Sequence, residues 1–193
     1  MSINPLYHKN NTRLDEELSI INRAKNNPTH FAPLYNEYHE QIFRYIYQRM
    51  DDEEKAFDIT SQVFMKALNN IHKYEYRGVP FSSWLYRIAK SELYQAFRDE
   101  KSERTVNINS IYLYDVVEEI EEDSNEINKI KIMNCLSLMK ENDMQLIEMR
   151  FFEKRSFKEI SNILDMTENN AKVKTFRALE KLKQLFANKQ NRL

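Results

Sequence analysis

Lys172, Lys174, Arg177, Lys181 and Lys183 recur two to four residues apart, which on a helix makes a strongly basic surface. Between residues 150 and 192 stand eleven bases (Arg150, Lys154, Arg155, Lys158, Lys172, Lys174, Arg177, Lys181, Lys183, Lys189, Arg192) against five acids. That is the electrostatic footprint of a phosphate-binding surface, although the whole chain carries a net charge of only −1. A second set has a different chemistry. Arg87, Ser91, Gln95 and Arg98 lie three to four residues apart, so a helix puts them on one face, with Trp84 one turn earlier. Just before them, His72, Lys73, Tyr74, Glu75, Tyr76 and Arg77 interleave bases with aromatics. Cations beside aromatic faces suit a single-stranded nucleic acid, whose bases stack for roughly 1–3 kcal/mol each while its phosphates find charge. A tryptophan at this spacing also fits a helical core, and a basic amphipathic hairpin also fits an ordinary surface.

Catalytic constellations are not evident. The four histidines are scattered without metal-ligand spacing, a single glycine precludes a Gly-rich phosphate loop, and Cys135 has no cysteine neighbour with which to hold zinc. From Asp115 to Glu126 there are seven acids and no base, yet the run lacks the glycine turn and ligand order of a calcium loop. No enzyme activity and no cofactor are therefore expected.

The elements that must carry these residues read as helices. Ser156 and Glu159 have the spacing of a capping box, and Phe157, Ile160, Ile163 and Leu164 form an apolar face after it. Asp165, a residue that tolerates left-handed backbone, opens a three-residue turn. Ala171, Ala178, Leu179 and Leu182 then face back to a core. Two helices with that short turn and a basic second member make a helix-turn-helix, whose second helix enters the major groove. Upstream, Phe31, Leu34, Tyr35, Tyr38, Ile42, Phe43, Ile46 and Tyr47 repeat at helical spacing. Ala56, Ile59, Val63, Phe64 and Leu68 do so in a helix from about Asp52, and Trp84, Leu85, Ile88, Ala89 and Leu93 in one from Ser82 or Ser83. A loop over 72–80 holds Gly78, the only glycine.

One glycine and four prolines in 193 residues argue against a turn-rich β architecture, so the predicted class is all-α. The expected organisation is a polar N-terminal extension (1–28, with one helix around Asp15–Lys25), a helical domain (29–98), a flexible acidic linker (99–126, with an apolar patch at Ile111–Val117) and a helix-turn-helix domain (127–193). No stretch approaches the length of a membrane span, and Met-Ser-Ile-Asn-Pro-Leu-Tyr-His lacks the blocks of a signal peptide. A cytoplasmic chain with no membrane insertion and a buried Cys135 thiol is expected.

Phe81-Ser-Ser-Trp-Leu-Tyr-Arg-Ile-Ala-Lys90 resembles the promoter-melting helix of the sigma-70 family, specifically its extracytoplasmic-function (ECF) group. Asp58-Ile-Thr-Ser-Gln-Val-Phe-Met-Lys-Ala-Leu68 is similar to that family's Asp-[Leu/Ile]-x-Gln-Glu-[Thr/Val]-Phe-x-x-Ala helix, and the helix-turn-helix resembles the family's reader of the minus-thirty-five element. The resemblance implies an initiation factor that binds core RNA polymerase, reads the minus-thirty-five duplex and melts the minus-ten element. It implies that Asp58, Ser61 and Gln62 meet the clamp coiled coil of the largest polymerase subunit, with the flap as a further polymerase contact. The opened minus-ten strand would fall to Lys73, Tyr74, Tyr76, Arg77, Trp84, Arg87, Lys90, Ser91, Gln95 and Arg98. Arg150, Asn169, Asn170, Lys172, Val173, Lys174, Phe176 and Arg177 would take the minus-thirty-five duplex, cations on phosphate or guanine and Val173 and Phe176 on a thymine methyl. Backbone N–H groups beside Asn169 and Asn170 add an anion-binding helix start. The acidic linker would mimic nucleic acid in the polymerase channels, and an anti-sigma factor would mask the binding faces.

This chain departs from the pattern at several positions. Ser61 and Gln62 replace a Gln-Glu pair, Ser91 and Gln95 stand where Asn and often Asp or Asn appear, and Val173 and Lys174 replace a common Ser and a common Arg. These changes bear on promoter sequence more than on the class of function. The readings to be distinguished from initiation are a stand-alone helix-turn-helix regulator and a polymerase-binding decoy without promoter function.

Overall fold

The computed structural model describes residues 11–50, 52–100 and 126–190. Among them every regular element is helical, and they fall into two compact units, one within Lys9–Asn107 and one within Ile108–Leu193. The acidic run, the Ile111–Val117 patch and the first ten residues lie outside the described residues.

In the N-terminal unit the helices are α1 (Asn11–Asn26), α2 (Ala32–Tyr47), α3 (Glu53–Asn70) and α4 (Ser82–Glu100), with single 3₁₀ turns at Pro28–Phe31 and Ile71–Lys73. Their starts follow from local chemistry. The Asn27 side chain accepts from the Thr29 N–H, and Pro28 begins the first 3₁₀ turn with its backbone angle already set. Asp52 accepts from the Lys55 N–H at 3.0 Å, and Glu53 and Glu54 place charge against the positive end of α3.

The core is built from Leu34, Ile42 and Ile46 of α2, Ala56, Val63 and Ala67 of α3, and Leu85, Ala89 and Leu93 of α4, around Phe31, Phe64 and Phe81. The segment expected as a polar extension contributes to this core, because Leu14, Glu17, Ile21 and Ala24 of α1 are all buried. The apolar stripe of α2 is wider than the face that is covered. Tyr35 and Tyr47 are exposed, their rings resting against Phe64 and Phe43 at 4.9 and 5.6 Å. Arg49 is buried, its guanidinium 3.7 Å above the Tyr45 ring and donating to the Tyr45 carbonyl.

The C-terminal unit contains α5 (Glu126–Leu136), α6 (Glu141–Ile147), a π-helical turn (Glu148–Phe152), α7 (Phe157–Leu164) and α8 (Glu168–Gln190). The Ser156–Glu159 capping box forms in both directions, and Asp165 takes the left-handed conformation (φ 53°, ψ 58°) that ends α7. The Cys135 thiol is buried, as its neighbours predict. Ala171, Ala178, Leu179 and Leu182 of α8 face inward with Thr175 and Phe186. Outside that face, Lys181 bonds Asp143 of α6 at 2.7 Å. At the entry to α7, fully buried Arg155 pairs with Glu153 at 2.6 Å and Glu159 at 3.5 Å.

Candidate nucleic-acid interface

In the C-terminal unit the candidate surface is the outer face of α8. Three residues, Asp165 to Thr167, separate it from α7, and the α7 apolar residues Ile160 and Ile163 are buried beneath. Thr167 caps α8: its hydroxyl accepts from the Asn170 N–H at 3.2 Å, and its carbonyl from the Ala171 N–H at 2.9 Å. The Asn170 N–H is therefore taken, which corrects its expected role as a phosphate donor, while the Asn169 and Asn170 side chains are exposed.

Lys172, Val173, Lys174, Phe176 and Arg177 all point to solvent, as the spacing predicts. Phe176 is 51% and Val173 39% exposed, apolar groups that a folding argument alone does not put there. Among the described residues no acid pairs with Lys172, Lys174 or Arg177, whereas Lys181 and Lys183 are engaged by Asp143 and Glu180.

Arg150 stands apart from the α8 cations. It is half-buried in the π-helical turn, donates to the Arg155 carbonyl at 2.7 Å and lies 4.6 Å over the Phe157 ring, whose other neighbour is Phe176 at 6.0 Å. Its bonds brace the approach to α7 from inside the unit.

In the N-terminal unit the second surface lies on α4 and the loop before it. Trp84, Arg87, Ser91, Gln95 and Arg98 share one face of α4, with Trp84 and Arg87 half-buried and the other three exposed. Gln95 is oriented by its neighbours, accepting from Arg98 and donating to Asp99, both at 2.7 Å. The Lys90 ammonium sits 5.8 Å from the Tyr94 ring. Lys73, Tyr76 and Arg77 are exposed, and Lys73 bonds the Asn70 side chain.

Tyr74 is a second correction. Only 5% of it is exposed, and its ring packs edge-on against Phe81 and Trp84 at 5.1 and 5.4 Å, so it cannot offer a stacking face to a base. Burial first, then the charges of Glu17 and Tyr76, push its phenol well above the usual range. The loop expected over 72–80 is a packed segment at its end, with Val79, Pro80 and Phe81 buried and Gly78 at φ 68° making the turn.

The third surface is the outer face of α3. Asp58, Ser61 and Gln62 are exposed one turn apart, and two residues that the spacing left unassigned flank them: Met65 is 65% and Phe57 44% exposed. Phe57 stacks on Phe43 at 4.2 Å. Polar groups flanked by two exposed apolar ones suit protein docking better than catalysis. Their spacing from buried Ala56, Ile59 and Val63 was the signal that could have found them. No group of histidine, cysteine and carboxylate side chains suited to a metal occurs among the described residues.

Comparison with known proteins places both units in a family. The family model for Sigma-70 region 2 matches residues 34–103, and that for Sigma-70 region 4 matches residues 129–182. The ECF RNA polymerase sigma factor BldN of Streptomyces coelicolor is 26% identical over 157 residues, covering 80% of this chain and 60% of BldN. The chain thus spans less than two thirds of that relative. The ECF RNA polymerase sigma factor SigM of Bacillus subtilis is 25% identical over 79% of this chain and 93% of SigM. Among solved structures, CnrH in complex with the cytosolic domain of CnrY superposes with a TM-score of 0.59 at 15% identity, covering 89% of this chain and 97% of CnrH. RpoE of Bartonella quintana, in complex with the anti-sigma factor NepR, gives 0.58 at 16% identity, covering 81% and 96%. These two likenesses establish the fold.

Proposed function

The chain belongs to the sigma-70 family of RNA polymerase sigma factors, and we propose that it works as an ECF member, binding core polymerase and directing it to start transcription at specific promoters. The observation that carries the reading is that regions 2 and 4 occur in family order on one chain. The N-terminal unit then does two jobs. Asp58, Ser61 and Gln62, with Phe57 and Met65, dock on the polymerase clamp, and Trp84, Arg87, Lys90, Ser91, Gln95 and Arg98, with Lys73, Tyr76 and Arg77, hold the opened minus-ten strand. A base drawn out of the duplex gives up a few kcal/mol of stacking, recovered on side chains of such a surface.

The C-terminal unit reads the minus-thirty-five duplex through α8. Lys172, Lys174 and Arg177 neutralise phosphate or read guanine, and Val173 and Phe176 meet a thymine methyl. The factor has no catalysis of its own. It lends selectivity to the polymerase, in the cytoplasm, and an anti-sigma factor, the kind of partner that RpoE has in its complex with NepR, regulates it by covering these faces.

Co-elution with purified bacterial core polymerase on gel filtration tests the first step. A stoichiometric complex is expected for the chain, weakened for Asp58→Lys. Absence of any complex, with duplex DNA binding retained, would make the protein a stand-alone regulator instead.

A further inference from the structure

Helix α1 precedes the region 2 match, which begins at residue 34, yet it holds both ends of the loop that leads into α4. At the start of the loop, Lys25 Nζ donates to the Tyr74 carbonyl at 2.7 Å and lies 5.9 Å from the Tyr74 ring. At its end, the Phe81 N–H donates to Glu17 Oε2 at 3.0 Å, and the other oxygen of Glu17 accepts from the Tyr38 hydroxyl. Glu17 is a buried carboxylate whose two oxygens both have donors, an arrangement that fixes it firmly.

Phe81 is the N-cap of α4, because its carbonyl accepts from the Trp84 and Leu85 N–H groups. In α7 the corresponding cap N–H, that of Ser156, is satisfied by Glu159 three residues along. In α4 the residue three along is Trp84, which cannot accept. Glu17 supplies the missing acceptor from a separate helix, 64 residues away in sequence. A carboxylate at this end of α4 also suits the helix dipole. The capped end, the Tyr74 ring and the Trp84 ring then pack as one unit, with Phe81 and Trp84 centred 5.4 Å apart.

We propose that α1 is a positioning element for the strand-melting surface: Glu17 and Lys25 fix the two ends of the 74–81 loop and thereby set the Trp84 ring before DNA arrives. The inference rests on the minus-ten role assigned above. It makes Glu17, Lys25 and Tyr74 positioning residues that touch no base, and it gives the N-terminal helix a part in promoter opening without any contact to promoter. Holding the site in its bound geometry beforehand removes an ordering cost from strand capture.

The test uses the full chain with core polymerase and a promoter from which that holoenzyme initiates. Lys25→Met keeps the aliphatic stem and removes the ammonium, and Lys25→Arg restores a donor. Opening is read by permanganate reactivity of minus-ten thymines, alongside core affinity and binding to the minus-thirty-five duplex. Lys25→Met is expected to lower opening about fivefold with both affinities within about twofold of the parent, and Lys25→Arg to recover at least half of the loss. Glu17→Ala is expected to lose more opening, and if it fails to fold the Lys25 pair decides. Unchanged opening in Lys25→Met, or an equal fall in opening, core affinity and duplex binding, would overturn the inference. A parent chain that forms no polymerase complex would overturn the initiation reading itself, and this inference with it.

Discussion

Replacing Arg177 by glutamine removes one of three exposed α8 cations that pair with no acid among the described residues, and its effect on salt dependence can be worked out in advance. Lys172, Lys174 and Arg177 are exposed and pair with no acid among the described residues, so each is available to a phosphate. Each phosphate neutralised releases counterions and contributes about −0.9 to the slope of log K against log salt. Three contacts give about −2.7, so raising KCl from about 50 to 200 mM should weaken binding about 40-fold through this helix alone. With Arg177→Gln the slope becomes about −1.8 and the same change weakens it about 12-fold. Contacts elsewhere in the holoenzyme add to both totals but not to their difference of ~0.9.

The assay is fluorescence anisotropy of a labelled promoter duplex titrated with holoenzyme across a KCl series. Lys181→Gln is the control, since Asp143 already holds that ammonium at 2.7 Å, and its slope should stay close to the parent's. If Arg177 also bonds a guanine, promoters carrying that base should lose a further ~1–3 kcal/mol and others should not. An unchanged slope in Arg177→Gln, or an equal change in Lys181→Gln, would refute the assignment of α8 as the phosphate-bearing helix.

Other consequences are open to measurement. Trp84→Ala should keep core affinity within about twofold while opening of the minus-ten region falls about 5- to 150-fold, the equivalent of one lost stacking contact at ~1–3 kcal/mol; an unchanged permanganate footprint would contradict it. Arg155→Ala strands Glu153 and Glu159 in the interior and should destabilise the C-terminal unit by about 3–5 kcal/mol in urea unfolding. The raised phenols of Tyr38 and Tyr74 set an alkaline limit on stability. The folded state holds their protons while the unfolded chain releases them near pH 10, so their contribution is intact below about pH 10 and declines above it by up to ~1.4 kcal/mol per pH unit for each tyrosine. Tyr74→Phe should flatten that decline by one tyrosine's share between about pH 10 and 12, and an identical slope would count against it.

The helix-turn-helix was legible because everything that specifies it is local. Ser156 and Glu159 are three residues apart, Asp165 sits at the turn, and the α8 pattern separates Ala171, Ala178 and Leu182 from Lys172, Lys174 and Arg177 within three turns. The α3 and α4 faces were legible in part for the same reason. What was not legible depends on distant contacts or on backbone without a period. Tyr74 stands in an irregular segment, where interleaved aromatics and bases give no indication of which ring turns inward, and its burial depends on Phe81, Trp84 and Lys25. Arg150 lies in a π-helical turn, and its bond to the Arg155 carbonyl depends on that irregular backbone. Residues 11–26 read as polar because their inward face is only Leu14, Glu17, Ile21 and Ala24, and the tasks of Glu17 are set by partners 21 and 64 residues away. Phe57 and Met65 are apolar yet exposed, and they flank Asp58, Ser61 and Gln62 on the patch proposed to dock on polymerase.

Run-off transcription with purified bacterial core polymerase, with and without this protein, on a pool of promoters from its source genome tests the central claim most directly. New, discrete transcripts that depend on the protein are the predicted result, and their start sites would give the promoter sequence that α4 and α8 read. Stable association with core polymerase and no transcript from any promoter in the pool would contradict it and leave a polymerase-binding decoy.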